Sequence, residues 1–376
     1  MTALSNIETP AAIIDVARMQ RNIARMQDRM NAFGVNFRPH VKTTKCIDVA
    51  DRQRAAGATG ITVSTLREAE EFFAAGYDDI LYAVCIAPHK LGRAGKLRDR
   101  GCRLTLLVDS VEAAHAVIAA PRSSDSFDVM IEVDTDGHRS GIGPEDARLL
   151  EIAAILHYGG ATFRGVLTHA GNSYELDSPE ALVQLAEQER ALSVRAAERL
   201  RATGLPCPVV SVGSTPTALS ARALDGVTEV RCGVYVLFDL FMTNVGVCTV
   251  EDIAVSVLTT VIGHQQDKGW IIVDAGWMAM SRDRGSARQS HDYGYGLVCD
   301  QDGKVIEERL LVIAANQEHG IVAAPDASLP SLVERFPIGT RLRILPNHAC
   351  ATGAQFSQYH AVAEDSVAIW SRFNGW

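Results

Sequence analysis

Lys42 stands in the run Phe37-Arg38-Pro39-His40-Val41-Lys42-Thr43-Thr44-Lys45, and a lysine in that setting can do covalent chemistry. Phe37, Pro39 and Val41 alternate with Arg38, His40 and Lys42, the period of two expected of a strand with one apolar face. A lysine at the C-terminal lip of a strand is partly desolvated, which lowers its pKa towards the range where the amine is nucleophilic. Such an amine suits covalent attachment of a carbonyl cofactor. A solvated lysine at a strand end is the plainer reading of the same residues.

A second pattern is Pro346-Asn347-His348-Ala349-Cys350, after an expected strand over Leu342–Leu345. Two residues apart on an extended segment, His348 and Cys350 share a side. Imidazole with thiolate favours zinc or another borderline divalent metal. Only two protein ligands leave positions open for water and substrate, as Lewis-acid catalysis requires. A buried histidine and a buried cysteine that meet no ion fit the same spacing. The cluster Asn316-Gln317-Glu318-His319-Gly320 is a candidate lining of the same cleft, with Gln317 and His319 as its substrate-facing residues.

Gly213-Ser214-Thr215-Pro216-Thr217 reads as a strand-to-helix turn suited to an anion. Its glycine lets backbone approach a ligand, the following amides open a helix, and the hydroxyls of Ser214 and Thr215 can donate. Gly233 would supply the other half of that cradle. An ordinary helix cap is the alternative. Arg139, in a glycine-bounded loop, can hold a cofactor ring by a charge-assisted hydrogen bond, or can pair with Asp134 or Asp136 instead.

The elements that must position these residues recur rhythmically. Apolar, β-branched segments fall at Asn36–Lys42, Gly60–Thr65, Asp79–Val84, Arg103–Val108, Phe127–Val133, Phe163–Thr168, Cys207–Gly213 and Glu229–Val236. Helix-like segments, such as Ile47–Ala55, Leu66–Ala75, Ser110–Ala119, Pro144–Tyr158 and Pro179–Thr203, lie between them. Strand–helix alternation implies parallel strands with right-handed crossovers, and eight repeats fit a (β/α)8 TIM-like barrel. The rival is a doubly wound open sheet, but no G-x-G-x-x-G follows the first strand. In such a barrel active residues gather at the C-terminal strand ends, where Lys42, Arg139, His169, Tyr174, Ser214 and Thr215 all fall. Before the barrel, Asp15 reads as an N-cap and Val16, Met19, Ile23, Met26 and Met30 as one helix face ending at Gly34. Past about Asp239 the expected strands are Ile253–Val261, Trp270–Val273, Leu310–Ala314 and Arg341–Leu345, among Gly, Asp and Asn. The expected organisation is therefore a barrel over 15–244 and a mainly β domain over 245–376 completed by residues 1–14.

The chain has 376 residues, 47% hydrophobic and 22% charged, as in soluble globular proteins. A net charge of -9 argues against a nucleic-acid partner. No apolar run approaches membrane-spanning length and Met1–Glu8 has no signal-peptide pattern, so no membrane partner and a cytoplasmic location are expected. Eight scattered cysteines without C-x-x-C spacing fit reduced thiols.

These motifs carry a resemblance. RPHVKT (Arg38–Thr43), EVDTDGHRSG (Glu132–Gly141), THAGNSYE (Thr168–Glu175), SVGSTPT (Ser211–Thr217), RCGVY (Arg231–Tyr235), DAGWMAMSRDRG (Asp274–Gly285), NQEHG (Asn316–Gly320) and PNHAC (Pro346–Cys350) span essentially the whole chain. It resembles the fold-type III pyridoxal-phosphate enzymes with an alanine-racemase-like N-terminal barrel. Within them it is similar to the D-serine dehydratase / D-threo-3-hydroxyaspartate dehydratase family, which is related to D-threonine aldolases. The resemblance implies that Lys42 carries pyridoxal 5'-phosphate, that Tyr174 lies near its pyridine ring, and that Thr215, Gly233 and Val234 meet its phosphate. His40, Arg139, His169 and Ser214 complete the expected cofactor site. His348 and Cys350 become the ligands of a catalytic divalent metal: zinc, manganese, magnesium or cobalt. The aldolases show H-C-D at the metal position, so His348-Ala349-Cys350 leans towards the dehydratases. Thr44 departs from the histidine that much of the wider family has after K-T.

The implied reaction is an α,β-elimination from a D-3-hydroxyamino acid, with Lys42 as the base at Cα. Arg282, Arg284 and Arg288 are available for a second substrate carboxylate. A retro-aldol lyase, an amino-acid racemase and a non-catalytic pyridoxal-phosphate carrier are the rivals, and a homodimer is expected.

Overall fold

The structure is a computed structural model that describes residues 4–121, 126–324, 332–364 and 366–376. The chain divides into two units, Ala24–Gly233 with Gly375–Trp376, and Met1–Ile23 with Val234–Asn374.

In the former, eight parallel strands form one sheet: Asn36–Phe37, Ile61–Val63, Asp79–Cys85, Arg103–Val108, Asp128–Glu132, Thr162–Leu167, Val209–Val212 and Glu229–Val230. From Ile61–Val63 onwards each pairs with the next in sequence, and the last pairs with the first. The remaining flanks are tied by a parallel bridge between His40 and Thr62, and Thr62 N–H donates to Pro39 O at 2.8 Å. The sheet thus rolls up on itself. Leu81, Leu107, Met130 and Leu167, one from each of four successive strands, form an apolar cluster.

The same unit holds a largely buried polar chain. Arg38 Nε donates to Glu229 at 2.7 Å and its Nη1 to Asp79 at 2.7 Å. Ser211 Oγ donates to the other Glu229 oxygen at 2.7 Å, and Arg231 Nε donates to Ser211 Oγ at 2.8 Å. Every member has partners, which is what makes so much buried charge tolerable.

The first strand is shorter than the alternation predicts. Pro39 has no N–H to give a ladder, and after His40 the chain tightens into a 3-10 turn, Val41–Thr43. Lys42 therefore sits not on the lip of a strand but in the turn that follows it, with its side chain exposed. The eighth strand is likewise only Glu229–Val230, and Val234–Val236 is another 3-10 turn.

Helix ends follow local chemistry. Thr65, Ser110 and Ser178 cap Leu66–Ala74, Val111–Ala119 and Pro179–Ala202 by accepting from a backbone N–H three residues on. Asp15 does the same for Val16–Phe33, accepting from Arg18 N–H at 2.9 Å, and Val16, Met19, Ile23, Met26 and Met30 are all buried.

The other unit holds a nine-stranded sheet. Its order is Trp270–Val273, Gly320–Ala323, Leu311–Ala315, Gly296–Cys299, Arg341–Pro346, Val255–Gln265, Ala11–Asp15, Gln358–Ala363, Ser366–Ser371. Trp270–Val273 also pairs with Val255–Gln265, closing the first six into a ring. Pairing is antiparallel except between Ala11–Asp15 and Gln358–Ala363. Its core includes Val257, Ile271, Val298, Val312, Leu342 and Ile344. Among the described residues no helix is long and apolar enough to cross a membrane, and all eight cysteines are free.

Candidate active site

Strand ends of the parallel sheet bring several of the candidate residues together. His40 Nε2 lies 3.3 Å from Ser64 Oγ, while its Nδ1 is buried without a hydrogen-bond partner. His169 Nδ1 donates to Gly213 O at 2.9 Å; a carbonyl only accepts, so Nδ1 carries the proton. Desolvation, then the charge of Lys42, then a hydrogen bond to Gly213 that opposes them, then the charges of Arg139 and Arg231, leave the His169 pKa at about 3. His40 is held well below the usual histidine range by desolvation and by Lys42, Arg231 and His169. Both rings are neutral at pH 7, in a setting rich in positive charge. The Tyr174 ring, in the 3-10 turn Gly171–Tyr174, lies 6.0 Å from that of His169.

The turn after the seventh strand is rigid. Ser214 and Thr217 form a reciprocal capping box at the start of Thr215–Ser220. Ser173 Oγ meets Ser214 Oγ at 2.8 Å, joining this turn to the one after the sixth strand. Glu189, from the helix Pro179–Ala202, accepts from the N–H groups of both Ala170 and Gly213. Gly213 has φ +138, and a Cβ there would lie 2.1 Å from Arg231 O. A Cβ at Gly233 would lie 2.8 Å from His40 O and 2.9 Å from Thr43 Oγ1. Val234 and Thr215 are buried.

Arg139 is exposed, and among the described residues it has no carboxylate partner. Asp134 and Asp136 are instead engaged by backbone N–H groups of their own loop and of Asn172. The alternative reading, in which Arg139 pairs with Asp134 or Asp136, is not met.

A third cluster carries no signal in the sequence. Cys85, Asp109 and Glu132 bring their ligand-type atoms within 4.8 Å of one another. Cys85 Sγ donates to Glu132 Oε2 at 3.2 Å, and desolvation followed by the two carboxylates pushes its thiol far above the usual range. These residues come from three separate strand ends, so no spacing betrays them.

In the other unit His348 and Cys350 are not on an extended segment. His348 is the N-cap of the helical turn Ala349–Gly353, and Cys350 lies in that turn. The fixing carboxylates come from elsewhere in the chain. Asp239, fully buried, accepts from Ala349 N–H at 2.9 Å and from Met242 N–H at 2.9 Å. Asp283 Oδ2 lies 2.6 Å from His348 Nδ1. Desolvation opposes protonation of His348, yet Cys350, Asp283 and Asp239 together raise its pKa to about 11. Gln317 and His319 are exposed in the turn after Leu311–Ala315. That turn is bound by its backbone to the helical turn Trp277–Met280: Trp277 N–H donates to Asn316 O at 2.9 Å and Met278 N–H to Gln317 O at 3.1 Å.

Both implied groups fit. An orphaned imidazole nitrogen, two glycine positions with no room for a Cβ, and neutral histidines among cations suit an anionic aldehyde cofactor. A half-exposed imidazole beside a thiol, with the ring's far nitrogen anchored by a carboxylate, suits a divalent metal.

The family of the alanine racemase N-terminal domain matches residues 14–240, and that of the putative serine dehydratase domain matches residues 254–362. The chain is 66% identical to D-threo-3-hydroxyaspartate dehydratase of Delftia sp. (strain HT23), over 99% of both chains. It is 30% identical to D-serine dehydratase of Dictyostelium discoideum, over 97% of this chain and 96% of that one. Two solved structures of a D-threo-3-hydroxyaspartate dehydratase match it at 64% identity and TM-score 0.97, covering 100% of this chain and 100% and 97% of theirs. One is a cysteine-to-alanine mutant in the metal-free form and the other a histidine-to-alanine mutant, the altered positions lying two apart. The chain belongs to the family that joins an alanine racemase N-terminal domain to a putative serine dehydratase domain.

Proposed function

We propose that the chain is a dehydratase of D-3-hydroxyamino acids that uses pyridoxal phosphate and a divalent metal. Its preferred reaction in this reading is D-threo-3-hydroxyaspartate to oxaloacetate and ammonia, with D-serine to pyruvate as a second activity. The observation that supports it most is the gathering of Lys42, Arg139 and Arg231 around two neutralised histidines, beside a glycine-lined turn that has room for no side chain.

When bound, the cofactor supplies an electron sink for the pair left when Cα loses its proton, and the metal supplies a Lewis acid for the β-hydroxyl. Lys42 Nζ holds the cofactor and, once released, takes the Cα proton. The Gly213–Thr215 turn, Gly233 and Val234 would hold the phosphate, and Arg139 and Tyr174 would border the ring. His169, its proton fixed on Nδ1 by Gly213, keeps Nε2 as an acceptor. His348 and Cys350 hold the metal, and Gln317 and His319 meet the substrate. Loss of water leaves an enamine, whose imine form hydrolyses in water to the 2-oxo acid and ammonia. The spacing of the two altered positions in the related dehydratase, one of them in a mutant solved in the metal-free form, matches that of His348 and Cys350.

The test is ammonia release from a panel of D-3-hydroxyamino acids, with and without a chelator. The reading expects ammonia from 3-hydroxyaspartate that stops on chelation while the cofactor absorbance stays. Glycine plus an aldehyde would establish the retro-aldol reaction instead. The reading includes a homodimer; a fully active monomer by light scattering would remove that part.

A further inference from the structure

The assignment of His348 and Cys350 as metal ligands leaves the neighbouring carboxylate of Asp283 without a role, and its surroundings supply one. Asp283 Oδ2 approaches His348 Nδ1 at 2.6 Å, a charge-assisted distance. Its other oxygen accepts from Gly285 N–H at 2.9 Å, and its own N–H donates to Ser281 Oγ at 3.1 Å. Neither carboxylate oxygen is left to a rotating side chain.

The loop that presents Asp283 is fastened on both sides of the His-x-Cys turn. Asn347, next to His348, donates to the carbonyls of Asp283 at 3.4 Å and Gly294 at 2.6 Å, and accepts from Ser286 Oγ at 2.8 Å. Thr352, just past Cys350, donates through Oγ1 to Met280 O at 2.8 Å. Between these ties Ser281 is held at φ +71, a conformation that costs a non-glycine residue on the order of 1–3 kcal/mol and persists only where its surroundings impose it. The strained residue lies two before Asp283, so the strain is spent where the carboxylate is aimed.

We infer that Asp283 is a positioning residue for the metal site. It fixes the His348 ring with its proton on Nδ1, so that Nε2, on the side of Cys350, is the nitrogen offered to a divalent cation. A carboxylate behind a ligating imidazole raises its basicity and restricts its rotation, and losing such a partner typically weakens metal binding 10- to 100-fold. This rests on the ligand assignment made above.

The experiment is titration of the metal-stripped, cofactor-loaded protein with cobalt(II), read by its visible d–d bands and by competition with a chromophoric chelator. Three variants are compared with wild type: Asp283→Asn, His348→Ala and the double mutant. The expected result for Asp283→Asn is a 10- to 100-fold rise in the cobalt dissociation constant. Its d–d bands and cofactor absorbance should be unchanged. In the His348→Ala background the same change should have no further effect. An unaltered dissociation constant, or the same fold-change with and without His348, would overturn the positioning role while leaving the ligands intact. Altered d–d bands would also overturn it, by making Asp283 a direct ligand. Wild type that takes up no cobalt, or takes it up equally after His348→Ala, would overturn the ligand assignment and this inference with it.

Discussion

Gly213 N–H donates to Glu189 Oε1 at 3.0 Å, across the gap between a strand-end turn and a helix packed outside the sheet. The same oxygen accepts from Ala170 N–H at 3.2 Å, so one carboxylate sets two turns of the proposed cofactor site. Burial pushes its pKa up, opposed by its bonds to Thr217, Gly213 and Ala170. Glu189→Ala would strand two buried donors, and an unsatisfied donor costs about 1–3 kcal/mol. The expected outcome is a loss of about 2–4 kcal/mol in urea unfolding and at least a tenfold weaker cofactor affinity by absorbance titration. Glu189→Gln, which keeps an acceptor, should lose less of both.

The glycines at 213 and 233 make different predictions. At Gly213 a Cβ would meet backbone at 2.1 Å with φ +138, so Gly213→Ala should destabilise by about 3 kcal/mol or more. At Gly233 the nearest atoms are 2.8 and 2.9 Å away and belong to the turn that carries Lys42. Gly233→Ala should therefore cost less stability but weaken cofactor binding. A thermal melt beside an absorbance titration separates the two effects.

His169 gives a pH signature. Its folded pKa is about 3 against 6.5 for a free ring, so between these values the unfolded chain binds a proton that the folded chain refuses. The unfolding free energy therefore falls as pH drops through that window. The contribution is below about 1.4 kcal/mol per pH unit, since the ring is not wholly shielded. His169→Asn, which can still donate to Gly213 O, should show a shallower decline than wild type in cofactor-free unfolding from pH 6.5 to 4. Identical slopes would contradict the depressed pKa.

Much of the barrel was legible because its signals are local. Asp15 announced a helix start, and Arg103–Val108 and Trp270–Val273 have the bounds their apolar runs implied. Lys42 was misjudged because pairing stops at His40, whose N–H donates to Cys232 O at 2.9 Å, and the chain then tightens into the 3-10 turn Val41–Thr43. Gly296–Cys299, Gly320–Ala323, Gln358–Ala363 and Ser366–Ser371 were missed as strands of only four to six residues. Asp283, Asp239 and Glu189 were invisible for a different reason. Each acts on a residue 24 to 110 positions away, and only the folded backbone brings them together.

Cys85 and Cys350 should behave differently. Cys85 is hydrogen-bonded to Glu132 and its thiol is pushed far up by burial and by Glu132 and Asp109, which keeps it protonated and a poor ligand. Cys85→Ser should leave the metal content of purified protein unchanged by elemental analysis, whereas Cys350→Ser should lower it. Loss of metal from the Cys85 variant would move the metal to the strand-end cluster.

The account turns on the amine at Lys42. Its side chain is exposed in a turn, so Lys42→Ala should change folding stability by no more than about 0.5 kcal/mol. The measurement is the visible spectrum of Lys42→Ala reconstituted with pyridoxal phosphate, with ammonia release from 3-hydroxyaspartate followed in the same sample. Loss of both the protein-bound absorbance band and the ammonia is the result expected; persistence of both would contradict the account.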